Sequence, residues 1–168
     1  MADEKVQGVQ TRPAMPAGYG IEPAAPDEML DWAGVCEKLA KSRNYWVATT
    51  RPYGRPHVMP VWGLWIDDAI IFSTDPASRK ARNLAANPEV VVHLESGDDV
   101  VVLEGTAERI QGRNIPASFV DDYDAKYCFR IEVGNADFGF YRLRPRVAFA
   151  WREHDFPKSA TRWRFDPH

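Results

Sequence analysis

From Tyr45 onward the sequence is a succession of short runs rich in β-branched and aromatic residues, each closed by a turn signal. That punctuation constrains the fold most, because such runs form strands, and strands joined by tight turns pair antiparallel. Tyr45–Thr50 is the first run, and Arg51-Pro52-Tyr53-Gly54-Arg55-Pro56 turns the chain into a second, from His57 to Ile66. Asp67-Asp68 leads to a third, Ile70–Ser73. Strands Val90–Leu94 and Val100–Glu108 are joined by the turn Ser96-Gly97-Asp98-Asp99. Two more are expected, near Phe138–Leu143 and Val147–Trp151, before a last strand in which Trp163 and Phe165 face inward and Arg162 and Arg164 reach outward.

Helical spacing appears in three places. Asp27, followed by Glu28, is a good N-cap for a helix in which Leu30, Ala33, Cys36, Leu39 and Ala40 recur on one face as far as Ser42 or Arg43. Asp75-Pro76 opens a short helix through Arg79, Lys80, Asn83 and Leu84 to Ala86, and Asn87-Pro88 stops it. Within Pro116–Tyr127, Phe119, Val120, Tyr123 and Tyr127 are three or four apart. Residues 1–26 carry Pro13, Pro16, Pro23 and Pro26 with Gly8, Gly18 and Gly20 and no periodicity, so they read as an irregular arm beside a domain of residues 27–168. Six or more short strands with a few helices predict a mainly β fold, a small barrel of largely antiparallel strands.

Composition removes several functions. With 168 residues the chain has room for one core, and 21 basic against 24 acidic residues give a net charge of −3, which disfavours a nucleic-acid partner. No run approaches the roughly 18 apolar residues of a membrane span, so no membrane partner is expected. Cys36 and Cys128 are too far apart in sequence to form a metal motif and offer no disulfide framework, so no metal site is expected and a reducing cytoplasm fits. There is no GxxxxGK[ST] loop, no HExxH, no GxSxG elbow, and Gly18-Tyr19-Gly20 follows no strand.

Two segments carry chemistry. In Phe72-Ser73-Thr74-Asp75-Pro76-Ala77-Ser78-Arg79-Lys80-Ala81-Arg82-Asn83-Leu84 a strand ends in hydroxyl residues and a helix begins, so unpaired backbone N–H groups and the positive end of the helix dipole meet there. Lys80 and Asn83 share one face and Arg79 and Arg82 an adjacent one, a set able to grip a phosphate; the plainer reading is a solvated basic face. In His57-Val58-Met59-Pro60-Val61-Trp62-Gly63-Leu64-Trp65, Pro60 implies a sheet edge or a bulge whose free backbone groups suit a flat heteroaromatic ligand. The plainer reading there is an edge strand at a barrel corner with its tryptophans in the core or at a dimer interface. His57 and Tyr127 are candidates for a proton donor, with Tyr123 and His93 as further ones.

The stretch Arg51-Pro52-Tyr53-Gly54-Arg55-Pro56-His57-Val58-Met59-Pro60-Val61-Trp62, with Phe72-Ser73-Thr74, Arg79-Lys80-Ala81-Arg82-Asn83-Leu84, Asn87-Pro88 and Leu103-Glu104-Gly105-Thr106-Ala107, resembles a family. It is similar to the pyridoxamine 5′-phosphate oxidase-like split-barrel flavoproteins, in particular the flavin/deazaflavin oxidoreductases that use coenzyme F420. The likeness runs from about Trp32 to Gly105. It implies a split β-barrel and a homodimer with the cofactor in a groove at the interface. It further implies that Lys80 and Asn83, with Ser78 and Arg79, hold the cofactor phosphate, that Met59, Pro60 and Val61 line the ring system, and that Thr74 lies beside the ribityl chain. Trp163 would close the groove. Coenzyme F420 is preferred over FMN on the Lys80–Leu84 stretch, and Arg55, Arg79, Arg82 and Arg162 would suit its anionic extension. The implied activity is hydride transfer to or from a small organic substrate. The alternatives are FMN-dependent oxidation of an amine such as pyridoxamine phosphate, and a non-catalytic flavin- or deazaflavin-binding protein.

Overall fold

Alternation in sequence becomes alternation in burial. In the computed structural model, which describes residues 8–21 and 29–166, Tyr45, Val47 and Thr49 face the core while Trp46, Ala48 and Thr50 face outward. The strands are β1 (Val9–Thr11), β2 (Tyr45–Thr50), β3 (Pro56–Val61), β4 (Gly63–Ile66), β5 (Ala69–Thr74), β6 (Glu89–His93), β7 (Asp99–Ile110), β8 (Gly139–Arg152) and β9 (Thr161–Arg164). Helices α1 (Trp32–Lys41), α2 (Arg79–Ala86), α3 (Phe119–Tyr127) and α4 (Phe156–Ser159) are set between them.

Every pairing is antiparallel, and one path runs β1-β9-β8-β7-β6-β2-β3 without closing. The β4–β5 hairpin joins it through β5, which pairs with Gly139–Leu143 of β8, while Val147–Ala150 of the same strand pairs with β9. β8 thus changes its neighbour on one side halfway along, which gives the split barrel. The sequence predicted two strands here, divided near Pro145. Instead the interruption is absorbed by a bulge between Glu104 and Gly105, with Gly105 opposite Pro145. A Cβ at Gly105 would lie 2.5 Å from the Arg144 carbonyl oxygen, so only glycine permits this approach.

Three other expectations are corrected. The run His57–Ile66 is two strands, because the chain leaves β2 after Val61 and resumes at Gly63 against β5. Helix α1 is capped by Asp31, whose Oδ1 accepts from Gly34 N at 2.7 Å; the expected cap Asp27 and the following Glu28 lie outside the described residues. Within the expected irregular arm, Val9–Thr11 forms a strand on the open edge of β9. A pairing held mainly by backbone bonds at an edge needs no apolar periodicity, which hid it from a pattern search.

Val35 and Leu39 of α1 and Ala81 and Leu84 of α2 cover the main core, with Tyr45, Phe72, Leu103 and Trp163 among its members. A second cluster places Phe119, Tyr123 and Tyr127 of α3 on Leu64, Ile71 and Phe140. Each large apolar side chain among these contributes roughly 1.5–3 kcal/mol by leaving water. The Asp67-Asp68 turn is tight, both residues having positive φ (51° and 53°) as a type I′ hairpin requires. On the outer face of the sheet, where polar residues are the rule, Trp46, Ala48, Val91, Val102, Val147 and Phe149 remain half-exposed.

Candidate functional site

The corner between β5 and α2 is built by hydroxyl groups and a cap. The N-cap of α2 is Ser78 and not the expected Asp75: Ser78 Oγ accepts from Ala81 N at 3.2 Å, while Asp75 Oδ1 accepts from Ala77 N at 2.7 Å in the turn before the helix. The Thr74 and Ser78 hydroxyls are 3.1 Å apart, and Lys80 Nζ donates to Thr74 Oγ1 at 3.1 Å. In the first turn the N–H groups of Arg79 and Lys80 have no acceptor within the helix, so the positive end of α2 and the Lys80 ammonium face the same corner. Half-burial lowers the Lys80 pKa, the sign of a cation short of compensation.

His57 joins this corner from β3. Its pKa is lowered first by desolvation and then by the positive charges of Arg51, Lys80 and Arg79, so the ring is neutral at pH 7. His57 Nδ1 and Arg51 Nε are screened from solvent and have no partner. Among the described residues no ion pair joins Arg51, Arg79 or Lys80 to a carboxylate. A concentration of positive charge with hydroxyl donors and no counter-anion fits a phosphate group.

The other proposed contacts divide. Met59 and Pro60 are exposed on β3, the terminal strand of the sheet path, beside exposed Val58, and form an open apolar edge. The Val61 side chain is buried in the core, so only its backbone could line that edge. Asn83 is 0% exposed, and its Nδ2 donates to Thr49 Oγ1 at 2.9 Å. It therefore points under the helix and away from the surface that Arg79 and Lys80 present. Thr49 Oγ1 also lies 3.4 Å from the His57 carbonyl oxygen, so α2, β2 and β3 are linked through one hydroxyl. Thr49 was not foreseen, although a hydroxyl at a core-facing strand position was a readable signal.

Two expectations fail on burial. Trp163 is 1% exposed and packs on Trp32 with ring centroids 5.3 Å apart, so it seals the core and closes no groove. Its inward orientation follows from the strand alternation that sends Arg162 and Arg164 outward. Tyr127 is buried, with its hydroxyl accepting from Gly63 N at 2.9 Å and lying 2.7 Å from the Arg43 carbonyl and 2.8 Å from the Gly63 carbonyl. Burial raises its pKa to about 12, so it locks the junction of β3 and β4 and is no proton donor to a reacting group. Arg162 bonds Thr11 Oγ1 at 3.0 Å, at the end of the sheet path opposite β3. Tyr123 is buried in the second cluster, and His93 stacks on Trp46 on the outer sheet face.

Known proteins share this architecture. A conserved hypothetical protein from Mycobacterium tuberculosis is 25% identical, with a TM-score of 0.64 over 79% of this chain and 91% of that one. An F420 reductase is 23% identical, with a TM-score of 0.54 over 67% of this chain and 94% of that one. HutZ, the heme storage protein of Vibrio cholerae, is 18% identical, with a TM-score of 0.54 over 68% of this chain and 89% of that one. No curated protein matches the sequence. Among the described residues no cluster of His, Cys, Asp or Glu could hold a metal ion, and no helix is long and apolar enough to cross a membrane. The family described as Pyridoxamine 5′-phosphate oxidase matches residues 35–152, from α1 to the end of β8, and the chain belongs to that family.

Proposed function

We propose that the chain is an oxidoreductase that binds a flavin-type cofactor, coenzyme F420 in preference to FMN, and serves hydride transfer to or from a small organic substrate. The observation that carries this reading is the uncompensated cationic corner of Thr74, Ser78, Arg79 and Lys80 with His57 and Arg51 beside it. When bound, the cofactor supplies the hydride chemistry; the protein's part is to bind and orient it. Lys80 and the first turn of α2 would hold the phosphate, Thr74 and Ser78 would offer hydroxyls beside it, and Met59 and Pro60 would give the ring system an apolar edge. The preference for the deazaflavin rests on the likeness of the Lys80–Leu84 stretch, with exposed Arg55, Arg79 and Arg82 available to its anionic extension.

A single chain leaves β3 open and the outer sheet face half-exposed and apolar. A second copy laid on that face would remove Trp46, Ala48, Val91, Val102, Val147 and Phe149 from water and wall the groove beside β3, so the working form is a homodimer.

Titrating the purified protein with coenzyme F420 and with FMN, each followed by its own absorbance, tests the reading. Binding of the deazaflavin at micromolar concentration, weakened in Lys80→Ala, is the expected result. Binding of FMN alone, with peroxide release from an amine substrate, would assign the FMN-dependent alternative. Binding without turnover over a broad substrate panel would make the protein a carrier, and binding of neither would overturn the proposal.

A further inference from the structure

The end of the sheet that holds the Lys80 corner has a second cationic feature two strands away, which the proposed chemistry does not use. Thr74 of β5 lies opposite Gly139 of β8, and the next residue, Phe140, lies opposite Ile110 of β7. The ends of β5 and β7 are thus about 10 Å apart. There Arg109, Gln111, Gly112, Arg113 and Asn114 line an open cleft of about 580 Å³. Among the described residues no ion pair joins Arg109 or Arg113 to a carboxylate. The neighbouring Glu108 is on the other sheet face, where it accepts from Arg142 at 2.7 Å.

One buried side chain is aimed at the same place. Tyr141 lies between Arg109 and Phe72 in register, so the three share a sheet face, the one on which Thr74 also lies. Tyr141 is 5% exposed, and its ring stacks on Phe72 with centroids 5.5 Å apart and planes at 16°. A Cβ at Gly139 would come within 3.3 Å of Tyr141 Cε2 and 3.5 Å of Pro76 Cγ, so the glycine makes room for the ring to lie along β8 toward the sheet end. The Tyr141 hydroxyl makes no hydrogen bond among the described residues and is not sealed from solvent. Burial raises its pKa against the opposing pull of the Arg109 charge, so at pH 7 it keeps its proton and is a donor without an acceptor.

The groups gathered here are short of acceptors. The guanidiniums of Arg109 and Arg113 are donors only, the carboxamides of Gln111 and Asn114 add N–H groups, and Tyr141 adds an O–H. An oxyanion supplies what they lack, since an arginine fork meets a carboxylate or a phosphate with two parallel bonds. We propose that Tyr141 and Arg109 form the floor of a second anion site, walled by Arg113, Gln111 and Asn114, which takes a carboxylate or phosphate group. That group belongs either to a separate small anion or to a ligand whose phosphate sits at the Lys80 corner, about 10 Å away. The site is made of its own residues and stands whether or not a cofactor occupies the corner.

The test follows the arginine Nε–H and tyrosine ring signals of the full chain by NMR while inorganic phosphate is added at constant ionic strength. Arg109 and Tyr141 should shift saturably along one binding curve, while exposed Arg164 on β9 stays in place. Arg109→Gln should weaken the curve read at Tyr141 by about tenfold or more, and Tyr141→Phe should weaken the one read at Arg109 by about three- to tenfold. Lys80→Ala should leave both within about twofold, as for a site of its own. Repeating the titration on protein saturated with coenzyme F420 separates the sources: unchanged curves assign the site to a separate anion, and curves abolished by the cofactor assign it to the cofactor's own anionic extension. No saturable shift at Arg109, a shift there no larger than at Arg164, or loss of both curves in Lys80→Ala would overturn the proposal. If Arg109→Gln does not fold, the wild-type and Lys80→Ala curves still decide the matter.

Discussion

Lys80 reaches back from the first turn of α2 to Thr74, the last residue of β5, with 3.1 Å between Nζ and Oγ1. This bond places the ammonium over the strand end instead of in open solvent. An anion arriving there meets a cation already oriented and partly desolvated, so little side-chain entropy remains to be lost on binding. Replacing Lys80 by alanine should weaken binding of a phosphate-bearing cofactor by about 10- to 100-fold, the range for loss of one charge-assisted bond. Lys80→Arg should recover only part of this, since the fork of arginine differs in reach and geometry. Fluorescence titration of wild type and the two variants with coenzyme F420 checks both outcomes.

His57 should report occupancy of the same corner. Desolvation and then Arg51, Lys80 and Arg79 hold its pKa below 6.5, and a bound anion would offset those positive charges. Its pKa should therefore rise on adding inorganic phosphate. By reciprocity, protonation of His57 should tighten binding of an anion whose own charge is constant over that range, such as sulfate. A proton NMR titration of the His57 ring with and without phosphate decides this, and an unmoved midpoint would remove His57 from the site.

Asn83 should behave differently from its neighbour Lys80. Asn83→Ala removes the donor to Thr49 inside the core and leaves a small void, at a cost of about 1–3 kcal/mol in folding stability. Urea unfolding should show a lower midpoint at unchanged slope. Cofactor affinity of the folded variant should stay within about threefold of wild type, because Asn83 meets no ligand at the surface.

The outer sheet face gives a prediction about assembly. Val91 lies opposite Glu104 on that face, half-exposed between Ala48 and the next strand. Val91→Lys should be tolerated by the single chain, where the new ammonium can approach Glu104, and should prevent a second copy from packing there. Light scattering after size exclusion should show a wild-type dimer and a monomeric variant with an unchanged circular dichroism spectrum.

Stability should pass through a maximum on the alkaline side. Lys126 has a folded pKa of about 8 against 10.5 when unfolded, so between these values the unfolded chain binds more protons and stability rises with pH. With screening by the water that reaches this half-buried side chain, the gain is about 1–2 kcal/mol. Tyr127 has the opposite sign. Its folded pKa of about 12 lies above the unfolded 10.0, so its contribution is whole below pH 10 and is lost as pH climbs toward 12. Denaturant midpoints measured from pH 7 to 11 should rise and then fall, and Lys126→Met should abolish the rise.

The sequence was legible wherever a side chain's role is local. The alternation of Tyr45–Thr50 and the Asp67-Asp68 turn are properties of neighbours along the chain, and the structure reproduces both. Local pattern does not suffice where a distant segment decides. Spacing gives Lys80 and Asn83 one face of α2, but Asn83 turns under the helix to Thr49 of β2 while Lys80 stays half-exposed and reaches Thr74. Periodicity turns Trp163 inward whereas the family likeness makes it close the groove, and packing against Trp32 upholds the first. The β7–β8 bulge is invisible in either strand alone, since it depends on Pro145 meeting Gly105 across the sheet. Lys126 carries no sequence signal at all, because its partners Tyr45 and Gly63 come from elsewhere in the chain.

The pairing of β1 with β9 sets a condition on the order in which this protein can be made. Val9 lies opposite Arg164, so the earlier segment has no sheet partner until one much further along the chain has left the ribosome. During synthesis the hairpins from β2 to β7 can form in sequence, while Val9–Thr11 waits and the far edge of the sheet stays open. Closing this last seam joins regions more than a hundred residues apart, so it is a late step with a large loop-closure entropy. A chain stalled before Thr161 would expose the unpaired edge of β8 instead, the surface on which partly made chains would associate.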